Sequence, residues 1–170
     1  RARLLSNALS RDSLTGLLKH ADIKERVAVE QERAMRTGKP VSVVMLDIDH
    51  FKKVNDSYGH GIGDNVIRAL ANLLRQRLRR VDVIGRYGGE EFLAVLHECS
   101  GAQAVQILDQ IRQQFSQISF SSEMGDFSVS LSAGIASCAE LEASALIDAA
   151  DKALYAAKNT GRNRVCLAEI

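Results

Sequence analysis

The chain has 170 residues, 46% of them hydrophobic and 25% charged, a composition typical of one compact globular domain. Its 22 basic and 21 acidic residues give a net charge of +1, which excludes a general attraction to DNA, RNA or anionic membranes. The three widely spaced cysteines exclude a disulfide framework or a zinc site and favour a reducing, cytoplasmic location. An anionic ligand must therefore be bound by a local group of residues.

The first predicted elements are helical. Because the chain begins at Arg1 rather than Met, we interpret residues 1–11 as the tail of an upstream linker helix. Residues 21–37 contain no glycine or proline and predict a helix, which ends at Gly38 and Pro40. The β-branched, apolar residues 41–46 then predict a buried strand that ends at Asp47.

The remaining predicted elements are helices and strands in alternation. After a polar, glycine-punctuated segment, apolar residues three and four apart predict a helix over 63–80. Strands at 81–87 and 90–96 flank Gly88 and Gly89, which predict a two-residue hairpin turn. The pattern further predicts a helix at 101–116, a strand at 127–137, a helix at 143–158 and a closing strand at 164–168. The expected fold is α/β, with helices covering a central mixed sheet.

Three acidic residues, Asp47, Glu90 and Glu91, lie at ends of predicted strands. Oxygen ligands at neighbouring strand ends suit Mg²⁺, which keeps other positions for phosphate oxygens and water. Each feature alone has a simpler interpretation, because an aspartate can end a strand and glutamates can solvate a hairpin. Their combination favours a magnesium and nucleoside triphosphate site.

The polar segment 47–64 carries candidate nucleotide-binding residues. A carboxylate at Asp64 can accept the N1–H and N2–H₂ donors of guanine, and Asn55 can also contact a purine edge. Lys52 and Lys53 supply positive charge for phosphates. The alternative is that Asn55 forms a turn, Asp64 starts a helix and the lysines lie on the surface.

Two groups of basic residues can likewise be interpreted either as ligand-binding or as structural. Lys158 and Arg162 can bind phosphates, or they can compensate the dipole at the end of a helix. The arginines that end in the RRVD sequence at 79–82 are either a solvated helix end or a ligand site.

Taken together, GGEEF at 88–92, DIDHFKKVND at 47–56, GHGIGD at 59–64 and AKNTGRN at 157–163 resemble the GGDEF family of diguanylate cyclases. This resemblance covers about residues 12–165 and implies a catalytic domain over 12–170. It implies a mostly antiparallel mixed sheet wrapped by helices, similar to nucleotidyl cyclases and polymerase palms, with GGEEF on a β-hairpin.

The resemblance also implies roles for individual residues. Metal ligands would be Asp47, the carbonyl of Ile48, Glu90 and Glu91, with Mg²⁺ as the ion and Mn²⁺ as an alternative. The implied substrate-binding residues are Phe51, Asn55, His60, Asp64, Lys158 and Arg162. The implied catalytic residues are Lys52, Arg86, Glu90 and Glu91, with Glu90 helping to deprotonate the attacking hydroxyl.

The implied reaction condenses two GTP molecules into cyclic di-GMP and releases pyrophosphate. Since one domain holds one GTP, the family pattern is a homodimer of two facing half-sites. An upstream sensor domain is expected in the full-length protein, which would be cytoplasmic or have this domain on the cytoplasmic side of a membrane anchor. We keep two alternatives: a catalytically silent receptor for GTP or cyclic di-GMP, and a cyclase that also uses ATP.

An RxxD motif five residues before GGEEF marks an inhibitory product site in this family, and Arg79 and Asp82 match it. Family members often add an arginine from the next helix, where this chain has Gln110. Weaker product inhibition, or inhibition completed by another residue, is therefore expected. The segment after LTGL departs from the family's Asn-Arg pair, because Leu18, Lys19 and His20 stand there.

Overall fold

The computed structural model describes residues 10–170, so the predicted linker-helix tail lies outside the described residues except for residues 10 and 11. Five strands form one sheet in the order β2-β3-β1-β4-β5. The strands are β1 (Ser42–Ile48), β2 (Val83–Arg86), β3 (Glu91–Leu96), β4 (Leu131–Ala136) and β5 (Val165–Leu167). Of these strand pairs, only β4–β5 is parallel, which confirms the mostly antiparallel mixed sheet expected from the sequence.

Five helices cover the two faces of this sheet. They are α1 (His20–Thr37), α2 (Phe51–Tyr58), α3 (His60–Arg77), α4 (Gly101–Ser116) and α5 (Ala143–Asn159). Helices α2, α3 and α4 pack on one face, and α1 and α5 pack on the other. Since both faces are covered, every residue of β1 is buried, as its continuous apolar run predicts.

Local interactions explain where several elements begin and end. Helix α4 starts with a capping box, in which the Ser100 hydroxyl and the Gln103 side chain each bind the other's backbone amide. Gly134 lets β4 approach α5 closely, because a Cβ there would lie 2.1 Å from the Leu154 nitrogen. The segment before α1 runs beside β2 and joins it through an isolated bridge between Leu18 and Gly85.

Several predicted elements differ from the structure in type or in bounds. Residues 51–58, expected to belong to a polar segment before the next helix, form helix α2, because Phe51 and Val54 anchor one side of it in the core. Helix α3 starts at His60 and ends at Arg77, rather than spanning 63–80. Strand β1 continues past Asp47 to Ile48, and β2 is shorter than 81–87 because Asp82 belongs to the preceding turn.

The predicted strand at 127–137 and the hairpin turn also differ. Residues 127–130 lie outside β4, because Phe127 pairs with Phe120 and stacks on Tyr58 with ring centroids 4.0 Å apart. The hairpin is wider than a two-residue turn, with Tyr87 and Gly88 both donating to the carbonyl of Glu91. Neither Gly88 nor Gly89 adopts the positive φ that the tight turn requires.

Candidate active site

The acidic residues meet at one end of the central strands. Asp47 on β1 pairs in register with Glu91 on β3, and directly opposed residues of an antiparallel pair point to the same face. Asp47 therefore shares the α1 and α5 face with Val43 and Met45 of its own strand. The sheet register, which motif spacing does not reveal, brings these two carboxylates together.

Asp47 is a buried acid with one oxygen engaged and one free of hydrogen bonds. Its side chain is 5% exposed, and Lys158 of α5 donates to Oδ2. Oδ1 is buried and has no partner within the described residues. Burial, together with the nearby charges of Glu90 and Glu91, outweighs Lys158 and raises the pKa of Asp47 from 3.8 to about 6.

Glu91 and Glu90 complete the acidic group. Glu91 is half-buried, and burial raises its pKa, assisted by Asp151 and Glu90 and opposed by Lys158 and His20. The carbonyl of Glu90 accepts a hydrogen bond of 3.3 Å from the Ile48 amide, so the GGEEF turn lies against the end of β1.

The carboxylates of these residues are suitable ligands for a divalent cation, but they are not arranged as a complete set of metal ligands. Within residues 10–170, no group of three or more His, Cys, Asp or Glu side chains is arranged to hold a metal ion. The partnerless Oδ1 of Asp47 is nevertheless a buried oxygen ligand beside two further carboxylates, which suits Mg²⁺. An ion that binds Asp47 competes with Lys158 for the same carboxylate.

The predicted guanine-binding residues lie on the packed pair α2 and α3. The Oδ1 atom of Asn55 is buried and has no hydrogen-bond partner among the described residues, and a Cβ on Gly63 would lie only 1.9 Å from it. His60, the first residue of α3, is exposed, and Asp64 lies half-buried one turn later. Phe51 is 8% exposed and belongs to the core, so it supports this helix pair from inside.

Two predicted phosphate-contacting residues are engaged elsewhere. The side chain of Lys52 is 91% exposed and pairs with Asp56 one turn later at 3.6 Å. Arg86 donates to both carboxylate oxygens of Asp12, at 3.1 and 3.2 Å, and to the carbonyl of Gly89. Arg86 thus connects the DSLTGL segment, residues 12–17, to the GGEEF hairpin.

The predicted basic pair differs in its surroundings. Lys158 contacts Asp47 directly, as described above. Arg162 follows α5 in a turn with a positive φ of 62°, and its amide donates to the carbonyl of Ala157 at 2.9 Å. Lys158 therefore reaches the end of β1, whereas the position of Arg162 is set by the turn that follows α5.

The RxxD residues lie at the other end of β2 from GGEEF. Arg79 binds Asp82 with Nη2 3.0 Å from Oδ1, and Asp82 also accepts from the amides of Arg79 and His97. The Asp82 side chain is only 1% exposed, whereas that of Arg79 is 51% exposed. They line a cavity of about 730 Å³ whose wall includes five further arginines, Arg11, Arg26, Arg33, Arg75 and Arg80.

Sequence reasoning placed Asp49 at the exit of β1 but assigned no role to it or to Glu30, and both are buried. Glu30 lies on the apolar stripe of α1 and binds His97 Nδ1 at 3.1 Å, linking this helix to the end of β3. A charged residue in phase with Ile23, Val27 and Ala34 was the available signal. Asp49 accepts three hydrogen bonds from residues far along the chain, for which the sequence has no local signal.

Comparison with known families decides the classification of this fold and site. A family model described as diguanylate cyclase, GGDEF domain, matches residues 9–164. The chain belongs to the GGDEF domain family. Solved GGDEF structures agree: the GGDEF domain of DgcB from Caulobacter crescentus, in complex with c-di-GMP, has a TM-score of 0.90 and 32% identity, with 94% of this chain and 96% of that one covered.

A second solved structure and two curated relatives extend this result. The active GGEEF domain of a diguanylate cyclase from Vibrio cholerae has a TM-score of 0.85 and 34% identity, covering 91% of this chain and 99% of that one. Diguanylate cyclase DgcP of Pseudomonas aeruginosa is 41% identical over 155 residues, and DosC of Escherichia coli is 38% identical over 156. Both alignments cover 91% of this GGDEF domain, but only 23% and 34% of the relatives, respectively.

Proposed function

We propose that this domain is a diguanylate cyclase that condenses two GTP molecules into cyclic di-GMP. The observation that carries the proposal is the pairing of Asp47 with Glu91 across β1 and β3, beside Lys158, in a GGDEF domain whose GGEEF motif retains both acids. Relatives named diguanylate cyclases support the same reaction.

The reaction consists of two phosphoryl transfers. In each, the 3′-oxygen of one GTP bonds to the α-phosphorus of the other, the hydroxyl proton leaves, and the bond to pyrophosphate breaks. The second transfer closes the ring. Glu90 is the proposed acceptor for the proton, directly or through solvent.

Guanine is selected by α2 and α3. Asp64 accepts from the N1–H and N2–H₂ groups of guanine, a pattern that adenine lacks, and Asn55 supplies its partnerless amide oxygen beside Gly63. His60 lines the same side, and Phe51 supports it from the core. Adenine in place of guanine would leave the Asp64 carboxylate unpaired, which favours GTP over ATP.

The triphosphate is bound where cationic groups meet the acidic strand ends. A divalent cation, Mg²⁺ or Mn²⁺, would be held by Asp47, the Ile48 carbonyl and Glu90 or Glu91, and when bound it would neutralise charge on the phosphates and lower the pKa of the attacking hydroxyl. Lys158, Arg162 and Lys52 oppose the negative charge that builds up during transfer. Arg86 keeps the hairpin in place through Asp12 and Gly89.

The proposed enzyme acts as a homodimer. Each domain carries one set of guanine- and phosphate-binding residues, so two GTP molecules face each other only when two domains meet. An upstream sensor domain that controls this meeting is proposed for the full-length protein, since the domain aligns with only part of its relatives. Because GTP is a cytoplasmic nucleotide, we place the domain in the cytoplasm.

Product inhibition is proposed at Arg79 and Asp82. Arg79 is half-exposed beside an arginine-lined cavity, which suits the phosphates of cyclic di-GMP. Asp82 already accepts bonds from Arg79 and His97, so a guanine must share or displace one of them.

The deciding experiment is product formation by the purified domain. We expect wild type and the exposed-site control Glu123→Gln to convert GTP with Mg²⁺ into cyclic di-GMP and pyrophosphate, measured by chromatography and mass spectrometry. Glu91→Gln should lower the rate by about 100-fold or more. ATP added in competition tests for mixed products. If wild type fused to a dimeric coiled coil forms no product, the cyclase proposal is wrong and a receptor for GTP or cyclic di-GMP replaces it.

A further inference from the structure

The turn after α5 has an unusual backbone. Arg162 and Asn163 are consecutive non-glycine residues with positive φ values of 62° and 49°. Side chains of L-residues disfavour this left-handed conformation, so it persists where surrounding contacts hold it. The conformation of Arg162, a proposed phosphate-binding residue, therefore depends on whatever holds this turn.

Asp49 holds the turn from the end of β1. Its Oδ2 atom accepts from the Asn163 amide at 3.0 Å and from the Ser130 hydroxyl at 2.7 Å. Its Oδ1 atom accepts from the Ser132 hydroxyl at 2.7 Å, and this hydroxyl also lies 3.1 Å from the Asn163 amide. Asp49 is 4% exposed, so these are buried hydrogen bonds to a carboxylate.

The two aspartates at the end of β1, Asp47 and Asp49, thus differ in how their carboxylate oxygens are hydrogen-bonded. Among the described residues, Asp47 keeps one buried oxygen without a partner, whereas both oxygens of Asp49 are engaged by protein donors. The three protein donors hold the Asp49 carboxylate in one orientation. The Asn163 side chain is held separately, since its Oδ1 accepts from Arg112 at 2.8 Å.

We propose that Asp49 is a positioning residue that sets Arg162 for the GTP phosphates by holding the Asn163 amide. This inference rests on the proposed function, which assigns Arg162 to the triphosphate. Asp49 acts at a distance from the nucleotide, and its effect should depend on phosphates beyond the first.

The test is a double-mutant cycle read by nucleotide binding. Affinities for α,β-methylene GTP and for GMP are measured by calorimetry with Mg²⁺ in wild type, Asp49→Asn, Arg162→Gln and the double variant. The Asp49→Asn substitution puts an NH₂ group among these donors, and we expect about tenfold weaker binding of the GTP analogue, with GMP unchanged. Arg162→Gln should cause a similar loss, and the double variant should lose no more than either single one. Asp126→Asn, which changes an exposed acid, is the matched control.

The inference is overturned if Asp49→Asn binds the analogue as wild type does, if its loss adds in full to that of Arg162→Gln, or if GMP binding falls equally. If Asp49→Asn does not fold, Ser132→Ala replaces it in the same cycle, with a smaller loss expected and the same dependence on Arg162. The proposed function is judged separately, by cyclic di-GMP formation in wild type. Wild type that binds the analogue but makes no product even when fused to a dimeric coiled coil contradicts the cyclase proposal, and the binding cycle then still decides the role of Asp49.

Discussion

At the scale of single residues, Asp47 shows a conflict between stability and function. Its pKa in the folded domain is raised from 3.8 to about 6, first by burial and further by Glu90 and Glu91, in spite of Lys158. The folded state therefore binds this proton more tightly than the unfolded state does. The stability that Asp47 contributes is fully present below about pH 4 and is lost as pH rises through about 6. The ionised carboxylate that the proposed chemistry needs is thus the form that the metal-free fold disfavours.

Asp47→Asn should therefore stabilise the metal-free domain at pH 7.5 while it abolishes cyclase activity. Asparagine resembles the neutral acid and can still accept from Lys158, so a gain of about 1 kcal/mol is reasonable. Thermal unfolding without divalent cations, from pH 4 to 8, should show the advantage growing with pH. Equal or lower stability of the variant at pH 7.5 would contradict the raised pKa.

Alanine substitutions at Gly63 and Gly61, two glycines of α3, should have opposite effects on stability. Gly63→Ala would place a Cβ 1.9 Å from Asn55 Oδ1 and 3.2 Å from Phe51 Cζ, so the Asn55 side chain must leave its present position. We expect GTP binding weaker by roughly tenfold or more and a destabilised domain, as for overpacking. Gly61→Ala meets nothing within 4 Å and should stabilise α3 by up to about 1 kcal/mol. Calorimetric GTP binding and thermal unfolding of both variants would test this, and equal effects at the two positions would refute it.

At the scale of elements, the DSLTGL segment supports the GGEEF hairpin. Asp12 and Arg86 are both 19% exposed, and Arg75 of α3 also binds this segment, through the carbonyl of Thr15. Burial opposes ionisation of Asp12, but the Thr15 hydroxyl and amide, together with Arg86, outweigh it and lower its pKa. The segment, β2 and the GGEEF turn therefore act as one support.

Asp12→Asn should cost about 1 kcal/mol of stability at pH 7, because it weakens a part-buried charged hydrogen bond. A lowered folded pKa means that the wild-type advantage is present above about pH 4 and disappears as pH falls through the folded pKa. Denaturant unfolding of both proteins between pH 2.5 and 7 measures the difference. A gap that stays constant down to pH 2.5 would show that Asp12 does not act through its charge.

Local sequence patterns predicted the type and approximate position of several elements. The apolar run at 41–46 predicted the buried strand β1, and the helices predicted at 101–116 and 143–158 are α4 and α5. Family resemblance implied the mostly antiparallel sheet with GGEEF on a hairpin. Helix α2 was missed because it buries only Phe51 and Val54. The bonds of Asp12 to Arg86 and of Asp49 to Asn163 join residues 74 and 114 positions apart, so no local pattern reports them.

At the scale of the whole molecule, the β2–β3 hairpin connects the two proposed ligand sites. Asp82 precedes β2 and binds the amide of His97, which follows β3, while the GGEEF turn closes the opposite end. Four paired residues of each strand separate Arg79 from the acidic end of the hairpin. The proposed inhibition would therefore act through the hairpin, without contact between the product and the proposed GTP site.

Arg79→Gln should weaken inhibition by cyclic di-GMP by at least about tenfold, because a charged contact to phosphate is lost. Initial rates without product should stay near wild type, since Arg79 lies away from the acids. Rates measured at increasing cyclic di-GMP would show this, with Arg68→Gln, an exposed arginine on α3, as control. Unchanged inhibition in Arg79→Gln would move the product site elsewhere.

The last prediction concerns the proposed homodimer, in which each domain would supply one set of guanine- and phosphate-binding residues. If two domains must meet, the rate per domain should rise with enzyme concentration at saturating GTP, rather than remain constant. A dimeric coiled coil fused before residue 12 should raise the rate at low concentration by about 10-fold or more and remove this dependence, through a higher effective concentration. Pyrophosphate release from the free and fused domains over a hundredfold range of enzyme concentration measures both effects. A constant rate per domain in the free form, with the sedimentation behaviour of a monomer, would show that one domain completes the reaction alone.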